Sequence, residues 1–216
     1  MRKLKQGILL TVEGIDGSGK STLANNLRDK LKKDNFDILL TYEPGDTPLG
    51  KKIRAILHSD DVAISGESEF LLFASDRAQH FKDVIIPNLK KNKLIISDRM
   101  ADSSAAYQGY GRQINIEMIH TINKWVMRDI VPDITLYIKV PLEVALQRLK
   151  KRKTKPTSFE KEKEAFTKRL IHGYDEIFKD RKNVIIVDGE QSAEILAKIA
   201  YANVKEWLKN KKFIAP

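Results

Sequence analysis

The chain has no cysteine, which removes disulfides, thiolate nucleophiles and zinc–thiolate sites together. Its histidines stand at 58, 80, 120 and 172, too far apart for ligand spacing, so no metal site built from protein groups alone is expected. They also offer no Ser–His–Asp arrangement. Long apolar runs are missing: nothing approaches the roughly 20 residues that span a bilayer. The basic N-terminus meets only the short stretch 8–12, so a removable signal is not expected either. Aromatic residues make up 7% of the chain and are not interleaved with the basic ones, which argues against a stacking surface for nucleic acid. No Pro/Gly/Ser-rich linker and no repeat divides the 216 residues. These absences predict one soluble domain over 1–216, cytoplasmic, with neither membrane nor nucleic acid as partner.

Positive charge is plentiful, at a formal net of +10. Much of it is scattered lysine pairs, Lys32-Lys33, Lys51-Lys52, Lys90-Lys91 and Lys211-Lys212, a pattern typical of solvated helix ends. The run Arg148, Lys150, Lys151, Arg152, Lys153, Lys155 is denser. A module that binds nucleic acid remains a rival reading, with steeply salt-dependent affinity as its signature.

Apolar, β-rich runs recur at 8–12, 38–41, 94–97, 134–140 and 184–187. Such runs suit strands buried on both faces. Helical patterning falls between and after them, at 21–33, 48–57, 67–92, 117–129, 141–151, 160–178 and 192–210. Alternation of this kind predicts an α/β fold of three layers, a five-stranded parallel sheet flanked by helices. Ligands of such sheets bind beyond the carboxyl ends of the strands.

Directly after the first apolar run comes Gly14-Ile15-Asp16-Gly17-Ser18-Gly19-Lys20-Ser21, and directly after that a helical pattern. Strand, glycine loop and helix in this order is the setting in which the G-x-x-x-x-G-K-S spacing has a mechanism. Glycines let backbone N–H groups turn inward, and the helix adds its positive end. Lys20 then reaches the β and γ phosphates of a nucleotide, and the Ser21 hydroxyl ligates Mg²⁺. Asp98, at the tip of the 94–97 run, can hold Mg²⁺ or its water shell opposite Lys20 and Ser21. Arg99 beside it offers planar, paired donors to phosphate. An Asn-Lys-x-Asp guanine reader is absent, since Asn123-Lys124 is followed by Trp125-Val126. A small stand-alone kinase remains.

Several motifs in order resemble the thymidylate kinase family from residue 8 to about 209: Glu13 through Ser21 and Thr22, Glu43-Pro44-Gly45, Phe70 through Asp76, Arg77 and His80, Asp98-Arg99, and Asp102-Ser103-Ser104-Ala105-Ala106-Tyr107-Gln108-Gly109. The resemblance implies a P-loop kinase fold with a short lid at about 149–159, ATP and Mg²⁺ as cofactors, dTMP as acceptor and a homodimer formed through helices. It implies that Gly14, Ile15, Asp16, Gly17, Ser18, Gly19, Lys20, Ser21 and Thr22 form the ATP site. Phe73 then stacks on thymine and Arg77, on the same helix face, donates to the base edge. Ser104 bonds the pyrimidine, Tyr107 lies against the sugar, and Gln108 belongs to the same acceptor motif. Arg54 and Arg99 grip the acceptor phosphate, Asp16 lies near the acceptor's sugar and phosphate, and Glu43 is the acidic residue near acceptor and metal. A different small kinase, acting on a deoxynucleoside or another pyrimidine monophosphate, is the rival within this class.

The phosphate loop carries Asp16 and no arginine, which resembles the bacterial class whose catalytic cation comes from the lid. Arg148 and Arg152 are the leading choices, with Lys151 and Lys153 behind. The chain departs from the family pattern at Tyr42, Asp46, Met100 and, in the lid, at Thr157-Ser158-Phe159-Glu160, where Ser158 replaces the usual Arg. Either Arg152 or a neighbouring Lys substitutes, or turnover is slower than in relatives.

Overall fold

The computed structural model describes residues 4–59, 61, 63–151, 159 and 164–213. The predicted apolar runs form β1 (Ile8–Glu13), β2 (Ile38–Tyr42), β3 (Leu94–Asp98), β4 (Ile134–Lys139) and β5 (Val184–Asp188). They pair in parallel, in the order β2-β3-β1-β4-β5. Around them lie α1 (Lys20–Lys33), α2 (Pro48–His58), α3 (Gly66–His80), α4 (Ile86–Leu89), α5 (Ala101–Ser104), α6 (Ile116–Val126), α7 (Leu142–Lys151), α8 (Glu164–Phe178) and α9 (Ala193–Asn210). Thr47, Ser65, Asn115 and Ser192 cap α2, α3, α6 and α9 by accepting a backbone N–H through the side chain, the usual role of these residue types.

The pleat explains the continuous apolar sequence of β1. Ile8, Leu10 and Val12 point into one core with Leu23, Leu27 and Leu31 of α1 and Ala200 and Val204 of α9. Leu9 points the other way, into a second core with Ile95, Phe81, Ile85 and Val126. Both faces are covered, so apolar residues fill both sets of alternate positions, and the two polar residues of the strand, Thr11 and Glu13, are buried with hydrogen-bond partners. This is the predicted three-layer α/β arrangement.

Two segments differ from the sequence reading. The helix expected over 67–92 is interrupted by a π-helical turn, Phe81–Ile85, just before Pro87, whose ring lacks the N–H that a regular ladder uses. A helical segment not expected from sequence follows β3: α5 continues as a π-helical run, Ala105–Gly111, buried against α8. Its small and polar residues show no apolar stripe, and packing rather than periodicity holds it. Gly111 allows this packing, since a Cβ there would stand 2.6 Å from the Phe166 ring.

The carboxyl ends of the strands share one edge of the sheet, and the phosphate loop, Glu43, Asp98 and Arg99 all emerge there. Arg152, Lys153, Lys155 and Ser158, with most of the expected lid, lie outside the described residues.

Candidate functional site

The phosphate loop is shaped by glycine and by what presses on it. Gly14, Gly17 and Gly19 have φ of 147°, 82° and 96°, values that suit a residue without Cβ. A Cβ on Gly17 would also lie 2.5 Å from the carbonyl of Ala145 on α7. Ile15 and Ser18 are buried and form the turn itself, with the Ser18 N–H donating to the Ile15 carbonyl at 3.2 Å. Gly19 begins α1 without a side-chain cap, and the first turn carries no acidic residue. Its leading N–H groups, at Lys20, Ser21 and Thr22, are therefore presented to an anion.

Lys20 folds back onto the loop, Nζ donating to the Ile15 carbonyl at 2.7 Å. Burial, then the Arg99 charge, lowers its pKa to about 8. Asp16 bonds Arg99 through Oδ1 and accepts the Tyr107 hydroxyl on Oδ2 at 3.0 Å. Burial pushes the Asp16 carboxyl up, but the neighbouring Arg99 and Lys20 cations outweigh it and hold the carboxyl below its usual value. Arg99 also donates to the Gly14 carbonyl at 3.2 Å and to Ser103 at 3.0 Å, with its guanidinium 5.0 Å from the Tyr107 ring centre. Its backbone is left-handed, φ 75°, a conformation disfavoured without local support. Support comes from Glu13, whose Oε1 accepts the next N–H, that of Met100, at 2.8 Å.

The metal position can be tested on Asp98. Ser21 Oγ donates to Asp98 Oδ2 at 2.5 Å, while Asp98 Oδ1 is buried with no partner among the described residues. A hydroxyl beside a carboxylate with an unused oxygen fits Mg²⁺, which takes few protein ligands and completes its shell with water and phosphate. Among the described residues no cluster of His, Asp and Glu would hold an ion without such help.

The acceptor residues gather at the other end of the same space. Arg77, 1% exposed, donates from Nε to Glu43 Oε2 at 2.8 Å, from Nη1 to Asn123 at 2.5 Å and from Nη2 to Ser104 at 3.1 Å. Glu43 uses its other oxygen on His80, at 2.9 Å. Its carboxylate thus supports Arg77 from behind. Burial raises the Glu43 pKa, yet Arg77 and then His80 bring the net value below the ordinary one. Arg54 donates to the Pro44 carbonyl at 2.8 Å, and Gln108 donates to Glu69 at 2.8 Å. Phe73, half-buried, has its ring 5.9 Å from that of Phe159.

A cavity of about 720 Å³ joins the two ends. Asp16, Gly17, Gly19, Lys20, Ser21 and Thr22 line its phosphate end, with Asp98 and Arg99. Glu43, Arg54, Phe73, Arg77, Ser104, Tyr107 and Gln108 line the remainder. Gly14, Ile15 and Ser18 stand behind the wall. Arg148 lines it from α7, 3.5 Å from the Ser18 carbonyl. Sequence reasoning missed Glu13 as a brace, Asn123 and His80. Asn123 meets Arg77 across 46 residues, a pairing with no local signal. His80 was part of the Phe70–His80 motif but was given no role there.

Residues 12–199 match the family model described as thymidylate kinase. The thymidylate kinase of Kosmotoga olearia is 43% identical over 202 residues, 93% of this chain and 95% of that one. That of Halothermothrix orenii is 40% identical over 93% of this chain and 97% of its own length. The thymidylate kinase of Caldanaerobacter subterraneus subsp. tengcongensis is 38% identical over 96% and 99%. With agreement over most of its length, and a phosphate loop opening into the same cavity as the Arg77 pocket, the chain belongs to the thymidylate kinase family.

Proposed function

We propose that this chain transfers the γ-phosphoryl group of ATP to dTMP, giving dTDP and ADP on the route to dTTP. The observation that carries the reading is the single cavity with a phosphate loop at one end and the Arg77–Ser104–Asn123 group at the other. An oxygen of the dTMP phosphate attacks the γ-phosphorus in line. The bond from that phosphorus to the bridging oxygen breaks, and its electron pair leaves with ADP. No covalent intermediate with the protein forms.

Catalysis of this kind is mostly positioning and charge stabilisation. The first N–H groups of α1 and Lys20 take the donor phosphates. Arg99, turned by Glu13 and flanked by Asp16, takes the acceptor phosphate with Arg54. Ser21 and Asp98 would hold Mg²⁺, which when bound neutralises charge on the β and γ oxygens. Phe73 stacks on the base, Arg77 and Ser104 read its edge with Gln108 nearby, and Tyr107 crowds the position where a 2′-hydroxyl would sit. The segment at about 149–159 is the lid that the family resemblance implies. Arg148, already at the cavity wall, is the described candidate for the lid cation; Arg152 is the other.

The remaining features follow the same reading: one kinase domain over 1–216, a cytoplasmic enzyme and a homodimer. No helix among the described residues is long and apolar enough to cross a membrane. Support for the dimer comes from α6, where Met118 and Trp125, seven residues apart, share one helix face. Met118 and Trp125 are 58% and 79% exposed, and Leu71 on the neighbouring α3 is 52% exposed.

The test is ADP production from Mg-ATP with dTMP, dUMP, dCMP, UMP, AMP and thymidine offered separately. Strong preference for dTMP, lost in Arg77→Ala, is expected. Loss of turnover with retained dTMP binding in Arg148→Ala or Arg152→Ala identifies the lid cation. Turnover of another acceptor in place of dTMP would overturn the assignment.

A further inference from the structure

Two charged residues of α3, Glu69 and Arg77, stand on the helix face that also carries Phe73, at spacings of four and eight. Both are buried, and each meets a polar side chain of the facing run 104–108. Arg77 donates to Ser104 Oγ at 3.1 Å. A guanidinium only donates, so Ser104 accepts there and its own hydrogen remains for a ligand. At the other position the Gln108 amide lies 2.8 Å from Glu69 Oε1. Arg112, which follows the π-helical run, donates from Nε to both Glu69 oxygens at 3.3 Å and from Nη2 to Oε2 at 2.9 Å. With both oxygens accepting from the arginine, the Gln108 atom that faces Oε1 is the amide nitrogen. The carbonyl is then the end of Gln108 left for the cavity, whose wall this residue helps to form.

The two contacts set opposite polarities side by side. Arg77 and Ser104 offer hydrogens, and Gln108 offers a lone pair. Thymine and uracil carry an oxygen at position 4 and an N–H at position 3, which is the complementary pattern. Cytosine reverses both, with an amino group at position 4 and a bare ring nitrogen at position 3.

We propose that Glu69, held by Arg112, is a positioning residue that sets acceptor specificity by turning the Gln108 carbonyl toward the base and so excluding cytosine. What enters the pocket rests on the dTMP kinase reading; the direction of the Gln108 amide does not. An unrestrained amide can present either end, because its nitrogen and oxygen fill nearly the same space, and it would suit both bases. A carboxylate has no hydrogen to give and permits one orientation. Arg112 is itself supported from α8, its guanidinium 4.8 Å from the Phe166 ring centre. The pair thus joins α3, the run 104–112 and α8, which keeps the carboxylate in place.

Glu69→Gln tests this, because it keeps the shape of the side chain and gives it hydrogens to donate. With its oxygen drawn to Arg112, the new amide nitrogen faces Gln108, which then turns its own nitrogen to the base. Calorimetric binding of dTMP, dUMP and dCMP, and turnover of each with Mg-ATP, are compared with the unmodified protein. Preference for dTMP over dCMP should fall roughly tenfold or more, the reversal of one hydrogen bond. The ratio of dTMP to dUMP should hold, since the two bases share the edge in question, and the ATP KM should stay level. A contact that only ties helices together would lower the melting temperature and weaken all three acceptors alike. That pattern overturns the proposal, as does an unchanged ratio of dTMP to dCMP. Should Glu69→Gln not fold, Gln108→Met reads the same ratio with the Glu69–Arg112 pair intact, and an unchanged ratio there overturns it equally. Unmodified protein that binds dTMP in preference to dCMP but turns over neither would sink the kinase reading alone. Equal binding of dTMP and dCMP would sink the specificity proposal whatever the turnover.

Discussion

Glu13 closes β1 with its carboxyl fully buried, accepting from Ser103 at 2.6 Å and from Tyr174 at 3.1 Å. Burial, then the charge of Asp102, raises its pKa from 4.5 to about 7. The unfolded chain releases this proton near 4.5, whereas the folded chain keeps it to about 7. The contribution to stability is therefore complete below pH 4.5 and fades as pH rises through 7. Its size is about 3 kcal/mol. Urea unfolding between pH 5 and 8 should show Glu13→Gln losing that slope while the parent keeps it. Equal slopes would mean that Glu13 is already ionised at pH 5. Asp98→Asn is expected to lower kcat by about a hundredfold or more at saturating Mg²⁺, with dTMP affinity retained, because it removes a carboxylate from the metal position. A Mg²⁺ titration of turnover checks this. Lys20, Ser21, Asp98 and Arg77 were legible because their neighbours in sequence form a motif. Glu13 and His80 stand within such motifs, but their contacts, like that of Asn123, were not legible, because their partners lie far along the chain.

At the scale of elements, the phosphate loop depends on α7 as much as on its own glycines. Gly17→Ala would combine a φ of 82° with a 2.5 Å approach to the Ala145 carbonyl. The expected cost is roughly 1–3 kcal/mol. Thermal melting should reveal it, and calorimetry with a non-hydrolysable ATP analogue should show a larger loss than with dTMP. Equal losses would indicate a general disturbance of the fold. The strands were readable because a sheet covered on both faces imposes continuous apolar runs, as in β1. The helical run 101–111 was hidden for the converse reason: its Ser, Ala and Gly residues are selected by close approach to α8 rather than by a helical stripe.

For the whole molecule, the exposed Trp125 on α6 gives the proposed dimer a simple test. Trp125→Glu should sediment as a monomer at concentrations where the parent is a dimer; a monomeric parent would remove the assembly altogether. The net charge of +10 lies largely in residues away from the site, and the cations inside the site are held by near neighbours. Lys20 rests on the Ile15 carbonyl, Arg99 on Asp16 and the Gly14 carbonyl, and Arg77 on Glu43. Lys20, Arg99 and Arg77 thus already have partners, while the cavity lining as a whole carries more basic than acidic side chains. An arriving anion must exchange those partners. A small ion such as inorganic phosphate can replace only one set, whereas a nucleotide brings several phosphate oxygens at once. The site should discriminate by the number of its ligand's anchoring groups, and millimolar inorganic phosphate should compete poorly with ATP.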